Sequence, residues 1–211
     1  LLHTAWTAGL SKTVDIWGPE GLDAYWDFFI KSMQADIDLR IADEGRPDLR
    51  DLVRMHVLDA GDVDVPGAVQ VRAMRVDHPP LTDTFALSFQ TNDTHVVFSS
   101  DTAYFPPLAE FAKGADLLIH EAMLVDAVDA LLTRIGNGDD RLRTHIMRSH
   151  TPAVDAGRIA TAAGVKALAL NHLWPSDEPA YGADDWTAAV KPFWAGKLFL
   201  GTDGLRIDLP L

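Results

Sequence analysis

Residues 96–124, "VVFSSDTAYFPPLAEFAKGADLLIHEAML", carry the reading that decides the fold. Val96, Val97 and Phe98 make a short apolar run suited to a buried strand, and it breaks at Ser99, Ser100 and Asp101. A helix is expected near 106–113, and "ADLLI" then starts a second strand over 116–120 that closes on His120 and Glu121. Strands alternating with helices imply a layered α/β domain. A buried strand that ends on a carboxylate also raises a question of chemistry, because a charge there is costly without a partner.

The same rhythm runs through the second half of the chain. Helices are expected near 122–134, 152–163 and 184–194, with a strand at 165–170 and a polar loop at 135–150 between them. A hairpin, "KLFLGTDGLRIDL", closes the chain with its turn at Asp203-Gly204. The first half reads as a strand in "KTVDIWGPEG", a helix in "EGLDAYWDFFIKSMQ" and a β-rich stretch whose clearest strand is "GAVQVRAMRVDH". "FALSFQTNDTHVVFSS" reads as a hairpin turning at "TNDT". With no repeat or convincing linker, a single domain over 1–211 is the expectation.

Composition narrows the function classes. The 211 residues contain no cysteine, so any metal must be held by His, Asp or Glu. A formal net charge of −13 disfavours polyanionic partners, since nucleic-acid affinity rests largely on Lys and Arg. A small-molecule substrate is the better expectation, and nucleic acid the lesser one. No apolar stretch approaches the roughly 20 residues of a membrane span, so no membrane partner is expected. Leu1 stands inside an apolar segment, which suggests a chain cropped at its start; localisation stays open between cytoplasmic and exported.

Polar residues collect where strands end or helices begin: His78, Asp101, His120 with Glu121, His150 and His172. Ligand crevices of α/β sheets lie beyond the carboxyl ends of strands, so these loops could converge. Each residue also has a bland reading. His78 could be a surface or capping residue before Pro79-Pro80, Asp101 a turn former, and His120 a buried histidine satisfied by backbone. Glu121 could be a first-turn acid and His150 a loop residue before the N-cap Thr151. His172 in "LALNHLWP" is hardest to dismiss. His3, His56, His95 and His145 read as structural or solvated, and Trp174 as either a pocket wall or ordinary packing.

The succession "VDHPPLTDTFALSF", "VVFSSDTAYFPPLAEFAKGADLLIHEAML", "SHTPAVDAGRIATAAGVKALALNHLWP" and "LGTDGLRIDL" resembles the metallo-β-lactamase superfamily, in its ribonuclease Z and arylsulfatase-like branch. The resemblance spans almost the whole chain and implies a four-layer αββα sandwich, here incomplete at its N-terminal side. It implies two Zn²⁺ ions, with His78 binding one, His172 the other and Asp101 bridging both. It further implies that His150 donates to a developing oxyanion and that Glu121 orients it. The activity implied is hydrolysis of a small ester-type substrate by a dinuclear-zinc-bound hydroxide, the substrate being a phosphodiester, sulfate ester, lactone or β-lactam. A homodimer is allowed.

The chain departs from the family pattern twice. The motif His-x-His-x-Asp-His, which supplies further metal ligands, does not occur in the sequence. The 211-residue stretch alone is therefore expected to bind metal poorly and to be inactive. Only 22 residues separate His78 from Asp101, too few for the long arm with which ribonuclease Z-like enzymes grip tRNA. Two alternatives stand beside the small-molecule hydrolase: a tRNA 3′-end processing endonuclease, and an inactive scaffold or interaction module of the same fold.

Overall fold

The computed structural model describes residues 1–136 and 139–209. By its internal contacts the chain divides into two compact units, residues 1–59 and 60–211. In the first, helix α1 (Leu2–Thr7) precedes strand β1 (Val14–Gly18), helices α2 (Leu22–Ser32) and α3 (Gln34–Glu44), and strand β2 (Val53–Val57). β1 and β2 pair in parallel, and Trp6, Ile37, Leu49 and Leu52 form the buried core. α3 is unforeseen in the sequence. The chain passes Met33 without a strong breaker and re-enters a helix whose stripe is mostly charged, with Ile37 its one fully buried residue.

The second unit holds a seven-stranded sheet in sequential order β3 to β9. Its strands are β3 (Gly61–Val63), β4 (Gln70–Arg75), β5 (Phe85–Gln90), β6 (His95–Phe98), β7 (Leu117–Met123), β8 (Ala167–Trp174) and β9 (Lys197–Leu200). β3 to β6 are antiparallel neighbours, whereas β6 to β9 run parallel. Helices α4 (Leu108–Phe111), α5 (Val125–Ile135), α6 (Arg141–Ser149), α7 (Ala153–Ala163) and α8 (Ala183–Val190) make the connections. The 96–124 reading holds, with strand, short helix and parallel strand in that order. Among the described residues no helix is long and apolar enough to cross a membrane.

The core explains the parallel half. Ala153, Ala156, Ile159, Ala160 and Ala163 line one face of α7 at helical spacing, and they bury against Leu118, Leu168 and Leu170 of the central strands. The small side chains allow close approach. At Gly157 an added Cβ would meet the Val190 carbonyl oxygen at 3.0 Å, so α8 packs directly on the α7 backbone.

Several sequence expectations need correction. The stretch 135–150 is not a loop: residues 137 and 138 lie outside the described residues, and Arg141–Ser149 is α6. Leu142, Ile146 and Ser149 form its inward stripe, hidden in sequence by the basic residues between them. β7 and β8 run past their expected ends, to Met123 and Trp174. The closing hairpin has one strand, β9. Gly201 N–H bonds the Leu170 carbonyl (2.8 Å), the chain turns from Thr202 to Leu205, and Ile207 and Leu209 pack on Phe199 rather than pairing with it.

Gly201 is the steric hinge of that edge, since a Cβ there would stand 2.5 Å from the Leu170 carbonyl oxygen. Gly201→Ala should destabilise the fold by about 1–3 kcal/mol, the usual cost of overpacking. Urea midpoints of the two proteins measure it, and equal midpoints would show that the contact relaxes freely.

Candidate functional site

β4 and β6 are both antiparallel to β5, so β4 points the same way as β6, β7 and β8. The carboxyl ends of these four strands therefore open on one side of the sheet, and the five candidate residues meet there. His78 follows β4, and Asp101 follows β6. His150 leaves the C-terminus of α6 in an extended conformation (φ −119°, ψ 156°). Glu121 and His172 lie within β7 and β8 rather than past their ends.

Local backbone strain aims two of them. Ser100 has φ 54°, a left-handed turn that breaks the strand immediately before Asp101. His172 has φ 42° and is skipped in the β7–β8 register, where Glu121 pairs with Asn171 and Ala122 with Leu173. It is the extra residue of a bulge, which throws its ring off the regular strand alternation. Such conformations cost on the order of 1–3 kcal/mol each and persist where surrounding contacts over-determine them.

The Nε2 atoms of His78 and His172 approach the same oxygen of Asp101, Oδ2, at 4.0 and 3.3 Å. The His150 ring is centred 5.4 Å from that of His78 and 5.5 Å from that of His172. His78 and His150 are buried, while Asp101 and His172 keep 43% and 46% side-chain exposure, leaving the face open to a ligand. Trp174 stacks on His150 at 6.4 Å and also packs on the cluster of Met123, Val128 and Ile146, as the packing reading expects.

Beneath the histidines lies a buried carboxylate. Glu121 Oε1 accepts hydrogen bonds from the backbone N–H groups of Thr151 (2.8 Å) and Thr102 (3.3 Å). Oε2 stands 3.4 Å from His150 Nδ1, an electrostatic contact that falls short of hydrogen-bond geometry. Burial pushes the Glu121 carboxyl above its usual range, and the His150 contact opposes the shift. Burial likewise works to lower His150, but the Glu121 and Asp101 carboxylates outweigh it and hold the imidazole above its ordinary value.

His120 does not face this cluster's chemistry. It is fully buried in β7, its Nδ1 bonds the Glu121 carbonyl (2.6 Å), and burial lowers its pKa to about 4. The backbone meets only one of its ring nitrogens, since Nε2 is buried without a hydrogen-bond partner. His145 is the residue that the sequence reading missed. It sits on α6 with its ring 6.3 Å from that of His78, half-buried rather than solvated. Only recognition of α6 as a helix could have revealed it, because His145 and Ser149 share a face at i, i+4 spacing.

The donor set suits a borderline cation such as zinc: two imidazole nitrogens on either side of one carboxylate oxygen, close but not hydrogen-bonded to it. The Nδ1 of His78 is buried with no partner, a further group short of its complement. Among the described residues, no three His, Asp or Glu side chains converge tightly enough to enclose a single ion.

A family model described as a β-lactamase superfamily domain matches residues 23–173. The chain belongs to the metallo-β-lactamase superfamily. This is a family of hydrolases whose members generally bind zinc. Ribonuclease Z of Mycobacterium tuberculosis (strain ATCC 25618 / H37Rv) is 26% identical, over 99% of this chain and 75% of that protein. Among solved structures, the metallo-β-lactamase fold protein YhfI from Bacillus subtilis superposes with a TM-score of 0.62 at 21% identity, covering 96% of this chain and 67% of that one. Human tRNase Z, short form, gives 0.60 at 19% identity, covering 100% and 74%. These likenesses bear out the α/β fold of metallo-β-lactamase type expected from the sequence.

The buried His120 has a consequence for acid stability. With a folded pKa of about 4 against an ordinary 6.5, its contribution is intact above pH 6.5 and is lost as pH falls toward 4, where only the unfolded chain binds the proton. Between pH 7 and 4.5 the parent should lose on the order of 2–3 kcal/mol more stability than His120→Asn, which carries no titrating ring. Urea unfolding at the two pH values measures the difference, and parallel losses in both proteins would contradict it.

Proposed function

We propose that this domain belongs to a dinuclear zinc hydrolase acting on a phosphodiester. The observation that carries the reading is the sharing of Asp101 Oδ2 between the Nε2 atoms of His78 and His172, with His150 held above by Glu121. Of the ester types that the sequence allows, the phosphodiester is favoured by the similarity to ribonuclease Z.

In this reading His78, His172 and Asp101 would hold the ions. Bound there, zinc would supply Lewis acidity and activate water near neutral pH. The chain's own residues do the rest. His150 would present its Nε2 toward the reacting group and donate as charge develops on oxygen, with the Glu121 carboxylate facing its other ring nitrogen. Glu121 fixes the imidazole's orientation; since its carboxylate faces Nδ1, the donating atom is Nε2. Trp174 stacks on the same ring and restricts its rotation.

The substrate is proposed to be small. The interval between His78 and Asp101 is filled by the β5–β6 hairpin, whose turn is closed by the Thr91 N–H bonding the Thr94 carbonyl (2.8 Å), and no arm extends from it. A second reading, tRNA 3′-end processing, is favoured by the names of the relatives and neighbours. Turnover of bis(p-nitrophenyl) phosphate against cleavage of a tRNA with a 3′ trailer separates the two, and strongly salt-dependent binding of the tRNA would favour the second.

His150→Ala should lower kcat by about 10²–10³ with zinc content intact, the loss typical of one oxyanion donor or general acid. Asp101→Ala should lose both zinc and turnover. Metal analysis alongside steady-state kinetics checks the pair; an unchanged kcat in the first variant would remove His150 from the mechanism.

A further inference from the structure

The chain carries a formal charge of −13, yet α6 contains three arginines, one histidine and no acid. The helix ends at the site, since His150 is its C-cap residue. Its last turn is also tied to the His78 loop, where the Ser149 hydroxyl donates to the Pro79 carbonyl (2.7 Å). At about 100° per residue, Arg141, His145 and Arg148 fall within an arc of about 60° on one flank of the buried stripe Leu142, Ile146 and Ser149. Arg143 lies on the other flank. The first flank is the one that meets His78, because His145 belongs to it and its ring stands edge-on to that of His78.

The cations on the two flanks are not equally committed. Arg143 is paired with Asp129 on α5 (2.7 Å), and Arg141 with its neighbour Asp139 (2.7 Å). Arg148 is exposed and has no ion-pair partner among the described residues. His145 makes one marginal hydrogen bond, Nδ1 with the Ser149 hydroxyl at 3.5 Å, and its Nε2 has no hydrogen-bond partner among the described residues. A basic flank with an uncommitted arginine, beside a site formed by three imidazoles and the Asp101 carboxylate, favours a second anionic group on the substrate rather than a neutral extension.

We propose that His145 and Arg148 form a phosphate subsite that binds the phosphate next to the scissile one, so that the preferred substrate is a phosphodiester bearing a flanking phosphate. The inference rests on the phosphodiester reading and sharpens it. The chain's distant negative charges act weakly on such a substrate, because the screening length at physiological salt is only about 8 Å and Arg148, without an ion-pair partner among the described residues, shares this flank with His145. Arginine supplies a planar fork for two phosphate oxygens, and the histidine adds a single directional contact beside it.

The test is binding, and it needs neither metal nor turnover. The affinities of the full chain for thymidine dinucleotides with and without a 5′-terminal phosphate, pTpT and TpT, are measured by calorimetry at fixed salt. The parent should prefer pTpT by about tenfold, as expected for one charge-assisted contact. Arg148→Met and His145→Asn should each bring that ratio close to one, with amide shifts of 141–149 following pTpT in the parent. No preference in the parent, or an unchanged ratio in both variants, would overturn the subsite. Competition with a 3′-extended tRNA identifies the source: displacement of pTpT at equal phosphate concentration assigns the flanking phosphate to an RNA chain, and its absence to a small nucleotide. Failure of the hydrolase reading would show separately, as no phosphodiester turnover by the zinc-loaded chain joined to a segment that carries the His-x-His-x-Asp-His motif, alongside an intact binding ratio.

Discussion

A carboxylate buried in the middle of a β-sheet must be answered by donors, and Glu121 is answered from two loops at once. Its Oε1 takes the N–H groups of Thr102 and Thr151, and its Oε2 faces the His150 imidazole. Left uncompensated, such a group would cost several kcal/mol. The chain has therefore one low-energy way to arrange these loops. Further bonds extend the clamp: the Thr151 hydroxyl donates to the Thr102 carbonyl (2.7 Å), and the Ala103 N–H to the Asp77 carbonyl (2.6 Å). His78, Asp101 and His150 thus leave three different segments and are still held as one hydrogen-bonded unit.

Strain and charge are spent at the same place. Left-handed Ser100 and the bulged His172 are the only non-glycine residues with positive φ among the described residues, and they adjoin or supply the groups that meet at Asp101 Oδ2. A place that stores backbone strain and buries His78 Nδ1 without a hydrogen-bond partner departs from what stability alone would favour. The α7 alanine face, close-packed on β7 and β8, is the rigid support that holds it.

Most of this was legible in the sequence because the signals were local. "VVFSSD" announced both a strand and its abrupt end, and "LALNHLWP" a polar break in a buried strand. The assembly of His78, Asp101, Glu121, His150 and His172 was expected from positions at strand ends and helix starts, although Glu121 and His172 stand within β7 and β8 and His150 leaves the end of α6. What escaped reading depended on tertiary context. β7 absorbs Glu121 because backbone N–H groups of two neighbouring segments bond it, and His120 because its Nδ1 bonds the adjoining Glu121 carbonyl, so polarity there did not end the strand. The stripe of α6 was masked by its arginines, and with it the closeness of His145 to His78. After β9, apolar packing of Ile207 and Leu209 replaced the pairing that a Gly-containing turn suggested.

The central claim is that Asp101 is shared by two metal ions, one beside His78 and the other beside His172. Diffraction at the zinc edge from crystals soaked in excess zinc tests it most directly. The account predicts two anomalous peaks flanking Asp101 Oδ2, each within bonding reach of one of these imidazoles. A single peak, or ions bound only elsewhere on the acidic surface, would contradict it.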